Sequence, residues 1–371
     1  MTPRRPRILL AIPTFMPHDA VGNDVLGMAE CFQSAGYPTT IFSQWIHPAR
    51  EHCTRRIDLE SEATWRCPED ILIYHHALHW ELGEALLANT RTKVAIKYHN
   101  VTPPGYFASY SDYLFQACRD GVEATRRIAR HGRAWFWADS GFSAEELVRM
   151  GAPAERCRVV APCHRIEEEL AQAPLDNVVL GRYRAGVSIL FVGWLRPNKG
   201  HRKAIEVYAQ YCSLSDRASR LLLVGGSDPN LKRYEDDLRA HAVRLGVDRR
   251  VEFAMGVTPA QLRSFYLAAS VFLCVSEHEG FCVPLIESMF FRLPIVTWAT
   301  TAVRETCAGA GIVFEDFQAA RLAESIDECV ENAVLARELA ERGRGRYERL
   351  FRPAAIQRRL RELLAEVEES G

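Results

Sequence analysis

Glu279 and Glu287 lie eight residues apart in Ser276-Glu277-His278-Glu279-Gly280-Phe281-Cys282-Val283-Pro284-Leu285-Ile286-Glu287. Carboxylates are acceptors that fit sugar hydroxyls, and the free amides at a helix start fit phosphate oxygens. One short segment could hold both halves of a nucleotide sugar if the chain folds it as strand, loop and helix. The flanking residues predict that order. Ala268-Ala269-Ser270-Val271-Phe272-Leu273-Cys274-Val275 is an apolar run that reads as a short buried strand. Pro284 suits the first position of a helix, where no amide hydrogen is needed. Glu279 is therefore expected in a strand-to-helix loop and Glu287 in or just after the first helical turn. Open α/β sheets bind ligands at that end of their strands. The plain alternative is a solvated loop charge and a helix-start charge.

Cations stand in a second such turn, Phe191-Val192-Gly193-Trp194-Leu195-Arg196-Pro197-Asn198-Lys199-Gly200. A departing diphosphate gains charge as its glycosidic bond breaks, and preorganised cations with helix amides stabilise that charge. Leu223-Val224-Gly225-Gly226-Ser227 ends a strand with two glycines, which permit close backbone approach to a phosphate or base, or make a simple turn. Asp19-Ala20-Val21-Gly22-Asn23-Asp24 reads as a polar glycine loop, with Asn23 or Asp24 as the cap of the next helix. His75-His76 ends a strand, where neighbouring side chains face opposite sides and bind one ion poorly. With no His-x-x-x-His, paired-cysteine or Asp-x-Asp set, neither a metal nor another cofactor is expected.

Together these motifs resemble the signature of the family-4 retaining glycosyltransferases (glycosyl transferases group 1): Glu, seven residues, Glu, with Gly-Phe after the first and Pro-Leu before the second. The resemblance implies that Glu279 sits by the donor-sugar hydroxyls and that Glu287 holds the ribose. Gly280, Phe281, Cys282 and Val283 complete that donor loop. In the family a Gly-Arg and then a Lys-Gly grip the diphosphate. Gly193 and Lys199 match, but Trp194 stands where the arginine is expected. Arg196, two residues on, points the same way in an extended segment and could reach the same phosphates. Gly225 and Gly226, with Met255, Gly256 and Val257, match the loops beside the nucleotide. Gly22, Asn23 and Asp24 resemble the acceptor-side loop. His99 occupies the place of a histidine near the reacting sugar, with Asn100, Ser140, His75 and His76 on the acceptor side. Asp70–His76 and His99 resemble a bacterial subgroup that builds surface polysaccharides. The implied catalytic set is Glu279, His99, Lys199 and Arg196.

Elements able to position these residues recur along the chain. Ile8–Ile12, Thr39–Ser43, Asp70–Tyr74, Lys93–Lys97, Ala134–Ala138 and Arg158–Ala161 read as strands, with helices at Asp24–Ala35 and Tyr110–Arg130. A second series runs through Ser188–Val192, Leu221–Val224, Val251–Phe253, Val271–Val275 and Ile295–Thr297. Strands alternating with helices predict a parallel α/β architecture. The resemblance makes it GT-B, two Rossmann-like domains facing across a cleft. The expected division is residues 1–165 for the acceptor, 166–186 as a linker that loses the rhythm, and 187–352 for the nucleotide sugar. A helix at 353–371 should pack back on the N-terminal domain.

Composition limits the setting. The chain has 371 residues, 48% hydrophobic, and a formal charge of −1, which suits two domains without general nucleic-acid affinity. No apolar run nears the ~20 residues of a membrane span. The start, Met1–Arg7, leads directly into a strand instead of a signal-peptide core. The eleven cysteines lack any Cys-x-x-Cys pair and read as reduced thiols. A cytoplasmic chain is expected. The basic run Arg126-Arg127-Ile128-Ala129-Arg130-His131-Gly132-Arg133 is either a solvated helix face or a contact with the inner membrane. The expected reaction moves a hexose, mannose first, from a GDP- or UDP-sugar to a glycan or lipid-linked acceptor in O-antigen, capsule or exopolysaccharide assembly. The alternatives are a small-molecule glycosyltransferase, or a nucleotide-sugar-binding protein that has lost catalysis through Trp194.

Overall fold

The alternating facing of Ile8–Ile12, all five buried, shows how the first sheet forms. Ile8, Leu10 and Ile12 pack on one face with Val25, Met28 and Phe32, while Leu9 and Ala11 pack on the other with Trp80 and Leu86. A strand apolar on both faces belongs inside a parallel sheet covered by helices. The computed structural model describes residues 5–17, 19–57 and 65–370, so the first four residues of the N-terminal stretch lie outside it.

The chain divides into two compact units. One comprises Met1–Pro104, Gln116–His164 and Arg352–Gly371; the other comprises Gly105–Phe115 and Arg165–Phe351. The first unit contains β1 (Ile8–Phe15), β2 (Thr39–Ile46), β3 (Thr54–Arg56), β4 (Ile71–His76), β5 (Lys93–Tyr98), β6 (Trp135–Ala138) and β7 (Cys157–Val159). They form one parallel sheet in the order β3-β2-β1-β4-β5-β6-β7. The second unit contains β8 (Val187–Val192), β9 (Ser219–Gly225), β10 (Val251–Met255), β11 (Val271–Cys274), β12 (Ile295–Trp298) and β13 (Ile312–Phe314). Its order is β10-β9-β8-β11-β12-β13, again parallel. In each sheet the strand order reverses direction once, between β1 and β4 and between β8 and β11. Those switch points are where doubly wound sheets open a crevice.

Three local expectations need correction. The first helix is Ala20–Ser34, not Asp24–Ala35, because Asp19 caps it by accepting from the Gly22 amide at 2.9 Å. Gly22, Asn23 and Asp24 therefore lie on helix, not in a loop. The stretch read as a linker carries the helix Asn177–Tyr183, capped by Asp176 and packed against the helix Pro259–Ala268 through Tyr183 and Phe265. Seven residues are too few to show helical periodicity. The edge strands β3 and β13 have three residues each, which hides alternation in the same way.

The final helix, Pro353–Glu369, places Ile356, Leu360, Leu363, Leu364 and Val367 in the core of the first unit. All eleven cysteines are free. Among the described residues no helix is long and apolar enough to cross a membrane.

Candidate active site

Lys199 follows β8 and Glu279 follows β11, the two strands that flank the second switch point. The Lys199 ammonium donates to Glu279 Oε2 at 2.7 Å, and the Ser276 hydroxyl donates to Oε1 at 2.8 Å. Glu279 is only 7% exposed. Burial alone would lower the Lys199 pKa, but the Glu279 carboxylate outweighs it and raises the pKa above its ordinary value. Gly200 makes the lysine turn close enough. Its φ is 76°, and a Cβ there would stand 2.0 Å from the Val275 carbonyl oxygen. Only glycine fits that left-handed approach.

The Glu279 loop is held from several sides. The Asn198 carbonyl accepts from the amides of Glu277 and His278 at 2.8 and 3.1 Å, and its side-chain amide donates to His278 O at 3.1 Å. Thr300 donates to Ser276 O at 2.6 Å, and Thr301 accepts from the Glu279 amide at 2.9 Å. Tyr106, from the segment that belongs to this unit, donates to Glu277 O at 3.2 Å. Burial lowers the His278 pKa to about 4, so the ring is neutral near pH 7. Sequence reasoning missed Ser276, Asn198, Thr300, Thr301 and Tyr106 as supports. Ser276 and Asn198 stood inside quoted motifs; the others carried no local signal.

Glu287 lies in the helix Val283–Phe290 and accepts from the Tyr266 hydroxyl at 2.5 Å. Burial pushes its carboxyl pKa up to about 7. Phe281 meets Phe351 edge-on at 5.6 Å, and Cys282 Sγ lies 3.9 Å from Cys274 Sγ. Both side chains are buried, so what this stretch offers a ligand is backbone between Gly280 and Val283.

Trp194 is half exposed and lies on Gly226, where a Cβ would come within 2.8 Å of the indole. The Arg196 guanidinium sits 5.4 Å from the indole centroid, with Asp228 Oδ2 at 3.7 Å. Its Nε is buried and has no hydrogen-bond partner among the described residues. Gly193, Gly225 and Gly256 bring three strand ends together. Gly193 N donates to Val224 O at 2.9 Å, Leu195 N to Gly226 O at 2.7 Å, and Gly256 N to Gly225 O at 2.7 Å. Met255 ends β10 and Val257 follows Gly256.

In the first unit, Asp24, His75, Lys97, His99 and Asp139 form one buried polar cluster. Lys97 donates to Asp139 Oδ1 and, at 2.9 Å, to Val160 O. His99 Nδ1 meets Asp139 Oδ2 at 3.0 Å, and His99 Nε2 meets His75 Nδ1 at 3.0 Å. The carboxylate only accepts, so His99 Nδ1 carries a proton toward Asp139. Burial lowers the His75 pKa well below its ordinary value. Burial alone would raise Asp139, but Lys97 and His99 outweigh it and hold it below the usual range. Burial raises Asp24, against the pull of Lys97 and His99.

Asp24, His75 and His99 offer three ligand atoms within 4.8 Å of one another. The two imidazoles, however, lie within 16° of parallel with centroids 5.2 Å apart, meeting edge to edge across their hydrogen bond. Lys97 Nζ stands 3.7 Å from Asp24 Oδ2.

Other expected acceptor-side residues sit apart from this cluster. His76 faces the opposite side of β4, bonded to Thr125 at 2.8 Å, and burial lowers its pKa to about 3. Strand alternation is the reason. Ser140 caps the helix Gly141–Met150 by accepting from Ser143 N at 3.1 Å. Asn100 donates to Glu146 at 2.8 Å. Lys97 was not expected in the site, and Asp139 was expected only as closing a strand near the cleft beside Ser140; nothing in their local sequence pairs them.

Known proteins agree with this architecture. The structure is similar to sucrose-phosphate synthase from Thermosynechococcus elongatus, with a TM-score of 0.78 at 20% identity, covering 99% of this chain and 100% of that one. The fold is GT-B. Residues 179–346 match the family described as Glycosyl transferases group 1. That stretch contains Lys199, Glu279 and Glu287. A D-inositol 3-phosphate glycosyltransferase of Acidothermus cellulolyticus is 33% identical over 205 residues, 52% of this chain and 45% of that protein. The O-antigen chain mannosyltransferase B of Escherichia coli is 27% identical over 212 residues, 54% of each. The chain spans about half the length of these curated relatives it matches.

Proposed function

We propose that this chain is a retaining, metal-independent hexosyltransferase. It moves mannose, or failing that another hexose, from a GDP- or UDP-sugar to a hydroxyl of a growing glycan on a lipid carrier. The single observation that carries this reading is the Lys199–Glu279 pair at the β8/β11 switch point, with Glu287 on the following helix. Glu279 faces the donor sugar, Glu287 accepts from the ribose, and Lys199 with Arg196 neutralises the diphosphate. As the bond from the anomeric carbon to the diphosphate breaks, the acceptor oxygen joins that carbon from the same face. The acceptor proton passes to the leaving phosphate. The family match and the mannosyltransferase among the relatives support the reaction class and the choice of sugar. A carrier-bound acceptor would bring the chain to the cytoplasmic face of the inner membrane.

A small polyol phosphate acceptor is the second reading, favoured by the inositol-phosphate enzyme among the relatives. Transfer from GDP-mannose and UDP-hexoses, assayed in excess chelator with glycan and polyol acceptors, separates the two. Full activity in chelator is expected. Activity abolished by chelator and restored by magnesium or manganese would overturn the metal-independent mechanism.

A further inference from the structure

Glu279 is fixed at its backbone as well as at its carboxylate. Its amide donates to the Thr301 hydroxyl at 2.9 Å, and its carbonyl accepts from the next residue, the Ala302 amide, at 3.4 Å. Two consecutive residues thus clasp both main-chain polar groups of the glutamate. The clasp has a conformational cost. Thr301 has φ 41°, a left-handed backbone that a β-branched residue rarely adopts. Neighbouring bonds hold the strained turn in place. Thr300 N donates to Trp298 O at 3.0 Å, Val303 N to Thr300 O at 2.8 Å, and the Thr300 hydroxyl to Ser276 O at 2.6 Å. Glycine would take this backbone without strain but would leave the Glu279 amide without its acceptor. A strained residue that persists where it serves a buried carboxylate is a candidate for function.

We propose that Thr301 is a positioning residue for the reaction, holding the Glu279 backbone so that its carboxylate meets the donor sugar. The inference rests on the glycosyltransferase reading above. Small displacements of a reacting group lower turnover steeply, while binding of the remote nucleotide is little affected. The hydroxyl, and not the side-chain volume, is therefore the required feature.

Three variants of the full chain test this, with GDP-mannose and a panel of UDP-hexoses as donors. Thr301→Val keeps the β-branch and removes the hydroxyl; Thr301→Ser keeps the hydroxyl; Thr301→Gly removes both hydroxyl and strain. The valine and glycine variants should lose about tenfold or more in kcat, with the donor KM little changed. Serine should stay near the wild-type rate. The glycine variant should stay folded, because relief of the backbone strain offsets part of the cost of the lost hydrogen bond. A valine variant that transfers at the wild-type rate overturns the inference alone, as does a serine variant as slow as valine. A wild-type chain that moves sugar from none of these donors overturns the glycosyltransferase reading and the inference together.

Discussion

Arg196 is the residue whose role is most open to a decisive measurement. Its guanidinium is held against Trp194 with a buried Nε that has no partner among the described residues, so it is oriented but not saturated. If it takes the place of the arginine expected at Trp194, Arg196→Ala should remove one charge-assisted contact that strengthens as the diphosphate leaves. Loss of such a preorganised group lowers the rate by about a hundredfold, ~3 kcal/mol. Lysine should rescue it only in part, since it lacks the planar fork. Lys199→Ala should be at least as damaging. An alanine variant at the wild-type rate would leave the phosphates to Lys199 and helix amides.

The two glutamates should differ in kind: Glu279→Ala should fall mainly on kcat and Glu287→Ala on the donor KM. Glu287 adds a pH dependence. Its pKa in the fold is raised from 4.5 to about 7, so ionising it costs stability as pH rises between those values, and the cost is constant above. If Glu287 holds the ribose as proposed, the ionised carboxylate is the stronger acceptor for its hydroxyls. The donor KM should therefore fall about tenfold from pH 6 to pH 8, the ratio of ionised fractions either side of pH 7. Glu287→Gln should flatten that profile in steady-state kinetics. A profile unchanged in the glutamine variant would assign the titration elsewhere.

At the scale of elements, the final helix shows how apolar spacing becomes stability. Ile356, Leu360, Leu363, Leu364 and Val367 recur at three- and four-residue steps, so one face of Pro353–Glu369 enters the core beside Ile8, Leu10 and Met28. Leu363 is fully buried. Leu363→Ala should cost about 2–5 kcal/mol from lost transfer energy and the cavity left behind. Urea denaturation should show the loss as a lower midpoint at unchanged slope. An unchanged midpoint would mean that this helix adds nothing to the first unit. The switch-point loops depend on their elements differently: the strands place them, and hydrogen bonds from Asn198, Thr300 and Thr301 shape them.

For the molecule as a whole, ligand linkage gives the broadest test. A nucleotide diphosphate that binds only the folded chain, at a hundred times its Kd, should add about 2.7 kcal/mol to stability. GDP or UDP should raise the melting temperature accordingly, and Lys199→Ala should abolish most of the shift. A shift that survives in Lys199→Ala would move the diphosphate away from the β8/β11 switch point. Chelator should leave the shift intact.

The sequence by itself determined the longer strands and the local order of the segment around Glu279 and Glu287. Continuous apolar runs such as Ile8–Ile12 and Val271–Val275 are too short for a helix and read as buried strands, and Pro284 suits a first helical turn because it lacks an amide hydrogen. The strand, loop and helix around Glu279 and Glu287 were therefore legible before any contact was known. Short elements were not, since three residues of β13 or seven of Asn177–Tyr183 give periodicity nothing to repeat. Only the tertiary structure decided which side chains meet. Lys97 and His99, at the end of β5, meet Asp139 from the end of β6, and Thr301 reaches Glu279 from the turn after β12. Those pairings arise from sheet order and register, which bring together residues tens of positions apart, and no local spacing encodes them.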